Sequence, residues 1–323
     1  MPGASTNCAS SLAKPYRACH KRRRLSSTLK CLLQNPVYSY GQSLPVYFHL
    51  LLAYLTLNSN SDDFFPEVPA SHPWHIFCNA HNAIFNQYLN ILPDWDMFQT
   101  SHEWASFHAA ARCVSGGPIY ITDVPGKHDV DLIFQMTGNT PRGDTVILRP
   151  HTVGKSTSAY NSYDDTVLLK VSTFVGMAHS GISILGVFNC TQHPIRELVG
   201  LDQFPGAENG TYIIRSHVSG EVSNPTSVNS GGALVHLEVP VIGWDILSAF
   251  PLQSFQLERG QHDVAGPADI SVANLGLLGK MTGAAGIINS DSYIERESGR
   301  LRIWTSLKVL GIYGTRMTLP SNP

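Results

Sequence analysis

An α/β unit followed by an antiparallel β-sandwich is the fold class this sequence predicts, on three observations. Between Leu50 and Thr137 short apolar runs alternate with stretches of helical periodicity, the order expected of parallel βα units. Beyond Asp144 no long helical face occurs, and short β-rich runs are separated by Gly, Asn, Pro and Ser. The composition, 14% charged against 43% hydrophobic over 323 residues, is that of a chain able to bury a large core.

Residues 1–49 show no periodicity, carry the basic run Lys21-Arg22-Arg23-Arg24, and read as an unstructured segment. Leu44–Leu57 is apolar but interrupted by His49. It lies too far from Met1 for a signal peptide and is shorter than the about 20 residues of a membrane span, so Leu50–Leu57 is expected as a buried strand. Ser71-His72-Pro73 opens a helix, with Ser71 as N-cap and Pro73 in the first turn. Trp74, Phe77, Ala80, Ile84, Tyr88 and Ile91 recur at three- and four-residue intervals, the spacing of one helical face, and Pro93 ends the run. A strand Asp94–Phe98 follows, then a helix from His102 to Cys113 stopped by Gly116-Gly117, a strand Pro118–Thr122 and a helical piece Asp129–Thr137. Further strands are expected at Val146–Leu148, Thr166–Ser172, Ile182–Phe188, Thr211–Ser216, Ala233–Val239, Phe255–Leu257 and Leu301–Ile312.

Charge and motif content exclude several functions. A net charge of -2 and a pI near 6.7 leave no basic footprint for nucleic acid, and no partner membrane is expected. Six irregularly spaced cysteines without a CxxC pair argue against a disulfide framework or structural zinc and favour a reducing, cytoplasmic setting. His72, His75, His81, His102, His108 and His128 crowd one stretch, yet none stands in the HExxH spacing, so core roles are expected and no metal. No GxSxG elbow or phosphate-binding glycine loop occurs, and no cofactor is expected.

The acids are placed more tellingly. Asp62-Asp63, Asp94/Asp96 and Asp123 each follow or end a candidate strand, where the loops of parallel folds converge around a pocket. Paired carboxyls suit glycoside chemistry, one donating a proton to the leaving oxygen while the other attacks the sugar or activates water. Phe64, Phe65, Trp95 and Phe98 stand beside them, and aromatic rings stack on the apolar faces of sugars. An Asp at a strand end serves equally as a helix cap or turn residue, and that alternative stays open for each.

The segments "NSDDFFP", "HNAIFNQYLN", "PDWDMFQTSH", "FHAAARCVSGGPIYITDVPGKHD" and "ILRP", and later "ILGVFN", "GWDILSAFPL" and "LGLLGKMTGAAG", resemble the raffinose synthase / seed imbibition protein family. That family is grouped with the α-galactosidases in glycoside hydrolase family 36. The resemblance runs from about Asn60 to Tyr313. It implies the C-terminal portion of a (β/α)8 TIM barrel, its last three βα units at 50–144, followed by an antiparallel β-sandwich at 145–323. It implies α-galactosyl transfer from galactinol to sucrose, or α-galactoside hydrolysis, with retention, so the partners expected are α-galactosides of the galactinol, sucrose and raffinose type. By motif, Asp63 is the expected general acid/base, and Asp62, Asp94, Trp95, Asp96, Met97 and Asp123 are expected to bind substrate. Two departures stand out: Ser59 occupies the place of the family's Arg four residues before the acid, and residues 1–61 hold no Asp or Glu for the family's Lys-x-Asp nucleophile. Retention needs two carboxyls about 5–5.5 Å apart. A truncated form, inactive alone, is therefore expected; the alternative is a non-catalytic sugar-binding or interaction protein derived from such an enzyme.

Overall fold

The computed structural model describes residues 57–88, 92–176, 181–207, 210–227, 234–257, 268–295 and 298–318. The expected unstructured segment 1–49 and all but the last residue of the strand Leu50–Leu57 lie outside them.

Strand β1 (Leu57–Ser59) pairs in parallel with β2 (Leu92–Asp94), Ser59 opposite Asp94. A parallel pair needs a crossover, supplied here by helix α1 (Ser71–Asn86). A second parallel step is a single bridge between Phe98 and Ile121, reached through helix α2 (Ala105–Ser115). Helix α3 (Val130–Met136) follows, its first turn closed by the Asp129 carboxylate, which accepts from the Leu132 amide at 2.9 Å. The order of parallel βα units thus matches expectation, but the strands are shorter than expected. Asp94–Phe98 is interrupted because Asp96 adopts φ +63°, outside any strand conformation. Gly116, at φ +71°, ends α2 in the left-handed conformation that glycine adopts without strain.

Two expectations for α1 fail. Ala70, not Ser71, is the N-cap; the Ser71 hydroxyl donates backward to the carbonyls of Phe65 (3.0 Å) and Val68 (2.7 Å). The buried face is also not the apolar one. Trp74 is 42% and Tyr88 81% exposed, whereas His72, His75, Asn79 and Asn86 are buried beside Ile76, Ala80 and Ala83. Polar side chains survive there because each finds a partner across the interface. Ile91 lies outside the described residues.

The remaining chain is antiparallel. Strands β3 (Thr137–Asn139) and β4 (Thr145–Ile147) form a hairpin. Next come β5 (Lys155–Ser156), β6 (Leu169–Val175), β7 (Ile182–Phe188), β8 (Ile195–Gly200), β9 (Thr211–Ser216), β10 (Thr226–Ser227), β11 (Leu234–Val239) and β12 (Trp244–Pro251). Six of these make one sheet in the order β10-β9-β12-β7-β6-β5, and β8 pairs with β11. Strands β13 (Gln253–Leu257), β14 (Ala268–Leu277) and β17 (Tyr313–Thr318) form a third sheet, and β15 (Ile287–Ile294) pairs with β16 (Leu301–Leu307). The run expected as one strand, Leu301–Ile312, is one strand to Leu307; the chain then turns into a different sheet as β17.

The six-stranded sheet is covered on both faces, which is why β7 is buried at all seven positions. One face, with Leu185, Val187, Ile214 and Leu247, packs on Val199 and Leu237 of the β8/β11 ribbon. The other, with Val171, Ile184 and Ile246, shares a core with Phe107, Ala110 and Val114 of α2 and with Leu275 of β14. Helix α2 is therefore held between the β layers and the acid-bearing loops.

Candidate functional site

The first acid-bearing loop is fixed at both ends. At its start Asn60 is buried, and its amide N–H donates to the Asp94 carbonyl at 3.0 Å, extending the β1–β2 pairing by one residue. Three asparagines of α1 grip it: its Nδ2 donates to the Asn79 carbonyl (2.6 Å) and Oδ1 (3.0 Å), Asn82 Nδ2 donates to its carbonyl (2.6 Å), and Asn86 Nδ2 donates to its Oδ1. At the other end the Phe64 amide donates to Asp96 Oδ2 at 2.7 Å. Between these anchors Asp62 and Asp63 are exposed to solvent.

The second loop carries Asp94 to Met97. Asp94 is buried and accepts from the Asp96 amide at 2.9 Å and from the Tyr120 hydroxyl. Burial pushes its carboxyl above the usual carboxylate range, and those two donors hold back part of the rise. Asp96 is half-buried in its left-handed conformation, and Met97 is half-buried against the core. Trp95 is fully enclosed, so its ring is not offered to solvent; Phe65, 50% exposed, is the open aromatic beside Asp63.

Asp123, at the next strand end, sits apart from this pairing. It accepts from the amides of Thr100 (2.8 Å) and Ser101 (3.1 Å) and from the hydroxyls of both, with His128 Nδ1 at 3.5 Å. Burial opposes its ionisation, but these hydrogen bonds outweigh it and hold the carboxyl below its usual range. Its observed work is to clip the loop after Phe98 to the strand end.

Beneath the two loops lies a group that spacing alone does not reveal. Arg112 of α2 is 0% exposed. Its guanidinium donates to the carbonyls of Trp95 (2.7 Å), Met97 (3.1 Å) and Asp96 (3.3 Å), and to His108 Nδ1 (2.6 Å). His108 Nε2 is 2.8 Å from His72 Nδ1, and His72 Nε2 is 3.3 Å from the Pro66 carbonyl. His75 Nε2 is 3.0 Å from the Trp95 carbonyl. Burial and then the Arg112 charge lower the pKa of His75 to about 4 and that of His108 well below the ordinary value, and burial lowers that of His72. Burial brings Arg112 itself down to about 10, so at neutral pH it is a cation among neutral imidazoles, with Asp96 favouring its charge.

The arrangement presents a hydrated carboxyl pair, Asp62 and Asp63, on a loop tied to a second loop bearing Asp96. Clefts of about 710 and 820 Å³ lie instead in the β part, beside Trp244 and beside Asn274, and none of the site acids lines either.

Residues 26–194 match the family model described as raffinose synthase or seed imbibition protein Sip1. The chain belongs to that family. Among curated relatives it is 39% identical over 135 residues to probable galactinol–sucrose galactosyltransferase 6 of Arabidopsis thaliana, covering 40% of this chain and 17% of that one. Probable galactinol–sucrose galactosyltransferase 1 of the same plant is 38% identical over 163 residues, 46% of this chain and 20% of that one. Stachyose synthase of Pisum sativum is 32% identical over 155 residues, 45% and 17%. The chain thus spans roughly a fifth of the length of these relatives. Of solved structures, α-galactosidase I from Mortierella vinacea gives a TM-score of 0.42 at 12% identity, covering 63% of this chain and 55% of that one. The α-galactosidase from Saccharomyces cerevisiae with raffinose gives 0.37 at 11%, covering 60% and 57%. Both scores lie below the level at which a shared fold follows.

Proposed function

We propose that residues 57–136 form the acid/base side of a site acting on α-galactosides. In this reading Asp63 is the general acid/base, protonating the leaving oxygen and then drawing the proton from the acceptor, water or a sugar hydroxyl. Asp62, Asp96 and Met97 shape the sugar side, with the buried Asp94 and Trp95 behind them, and Asp123 holds the neighbouring loop. The parallel units are the last three of a (β/α)8 barrel, and the β layers beyond residue 144 are its sandwich neighbour. The substrates are those that the relatives' names carry, galactinol and sucrose or raffinose-type acceptors. Retention also needs an attacking carboxylate. No acid precedes Asp62 in these 323 residues to supply one from an earlier strand. On its own the chain is then a sugar-binding half-site without turnover.

One observation carries this reading: an exposed Asp62-Asp63 pair at the end of a parallel strand, anchored to Asp96 through the Phe64 amide. The test is to incubate the 323-residue chain with galactinol plus sucrose, with raffinose and with a nitrophenyl α-galactoside, and to titrate raffinose by calorimetry. Saturable raffinose binding weakened in Asp96→Asn, with no turnover, is expected. Turnover lost in Asp63→Asn would refute the half-site; no binding of any α-galactoside would refute the sugar site.

A further inference from the structure

We propose that Arg112 is a positioning residue that fixes the separation of the two acid-bearing loops, holding one directly and the other through His108 and His72. Its significance for catalysis rests on the function proposed above, whereas the geometric claim does not.

The chain of hydrogen bonds has a single consistent direction. The Pro66 carbonyl only accepts, so the proton of His72 is on Nε2 and its Nδ1 carries a lone pair. That lone pair accepts from His108 Nε2–H, leaving His108 Nδ1 to accept from Arg112. Every nitrogen along the path is matched, and the path runs from the Arg112 guanidinium to the loop that follows Asp63. On its other side the same guanidinium ties three consecutive carbonyls, those of Trp95, Asp96 and Met97. The Phe64 ring packs against His72 and His108, with centroids 5.6 and 5.0 Å away, so the first loop also rests on the histidines by van der Waals contact.

Two features separate this from a buried cation that merely fills space. The clamped backbone is strained: Asp96, at φ +63°, stands in a region that non-glycine residues rarely occupy, and such a conformation persists only where its surroundings impose it. The clamp also requires arginine. Contacts to three carbonyls and to the imidazoles of His108 and His75 demand a rigid planar fork of donors, whereas a lysine ammonium is a point charge with three hydrogens. Arg112 is thus placed to impose the turn that aims Asp96 Oδ2 at the Phe64 amide, a hydrogen bond that joins the two loops through a carboxylate.

Amide hydrogen exchange on the 323-residue chain tests this. The amides of Phe64 and Asp96, each bonded to an aspartate of the second loop, report the loops; those of Ile184 and Leu185 in β7 report the sheet. In Arg112→Lys, protection at Phe64 and Asp96 is expected to fall about tenfold or more beyond any change in β7. Unaltered protection, or a uniform fall at all four, would overturn the proposal. Should Arg112→Lys fail to fold, imidazole nitrogen NMR of the unmodified chain decides. His72 and His108 are both expected as the neutral Nε2–H tautomer, and an Nδ1–H tautomer at His108 would break the path and overturn it. Raffinose titration runs alongside: loop loosening without sugar binding refutes the proposed function and leaves the positioning role standing.

Discussion

Acidification from pH 7.5 to 5.0 is expected to destabilise this protein through histidines rather than carboxylates. His75 is 3% exposed, packed under the Trp95 carbonyl and beside the Arg112 cation, and these surroundings lower its pKa from 6.5 to about 4. A base with a depressed folded pKa contributes stability above its unfolded pKa and loses it as pH falls, so the loss here opens near 6.5 and closes near 4. At pH 5 the unfolded imidazole is protonated while the folded one is still mostly neutral. The difference of 1.5 pH units, at about 1.36 kcal/mol each, is about 2 kcal/mol. His72 and His108 shift in the same direction and add to the loss. Asp94, raised by burial, takes up its proton more readily when folded and opposes the loss toward the acid end. Asp123, lowered by its hydrogen bonds, keeps its stabilising contribution down to the usual carboxylate range and loses it only as pH falls below that. Urea unfolding followed by tryptophan fluorescence at the two pH values measures the drop. The control is His75→Gln, which keeps a donor for the Trp95 carbonyl but cannot take a proton; its drop is expected to be about 2 kcal/mol smaller. A pH-independent midpoint, or the same drop in His75→Gln, would refute the assignment of a neutral buried imidazole.

Three substitutions test the supports around the acids. A Cβ at Gly117 would stand 2.0 Å from the Pro93 carbonyl oxygen, so Gly117→Ala must displace the end of β2; a loss of about 1–3 kcal/mol is expected in thermal melts. Asn60→Ala removes the side-chain amide that Asn79 and Asn86 hold, leaving their buried groups without it while the Asn82 bond to the backbone carbonyl remains, at a cost of about 2–4 kcal/mol by urea unfolding. Asp123→Asn turns an acceptor of four hydrogen bonds into a group with its own donors; a loss of about 1.5–3 kcal/mol at pH 7 is expected, shrinking below pH 4 as the native carboxylate is itself protonated.

How much of this was legible in the chain differs by element. The order of βα units was, because Gly116, Pro93 and the apolar runs are local signals. The rotation of α1 was not: Trp74 and Tyr88 satisfy helical spacing as well as His75 and Asn79 do, and only the partners Asn60 and Trp95, one before the helix and one after it, decide which stripe turns inward. The sheet order is equally non-local, since β12 lies between β9 and β7, and strands such as β8, β14 and β15 are too polar in alternation to stand out. Asp63 and Asp96 were singled out through the family motif, as candidates for roles that belong to the proposed function. Arg112 was not singled out, although a clue was present: it is the lone charge in "ASFHAAARCVS", a helix otherwise without a polar face to carry it, with His108 one turn earlier. A cation in such a helix has either solvent or a polar cluster to meet, and here α2 is enclosed by the β layers.

This distribution of charge has a physical rationale if Asp63 works as an acid and then as a base. A carboxyl that exchanges protons has to stay wet, yet its position has to be held to fractions of an ångström. Those demands conflict if the holding groups titrate in the same range, because each change of charge would then move the support. Here they are separated. The loop of Asp63 is pinned by asparagine amides and by imidazoles that burial keeps neutral, and the opposite loop by a guanidinium that stays charged to about pH 10. Between pH 6.5 and 10 none of those supports changes charge, so the geometry around the exposed acids is constant. Below 6.5 the equilibrium shifts toward opening, since the open state takes up protons on these histidines more readily than the closed one. If the proposed sugar site is present, loss of its binding with acid is expected to follow the histidine window, and the disappearance of that loss in His75→Gln would tie the two together.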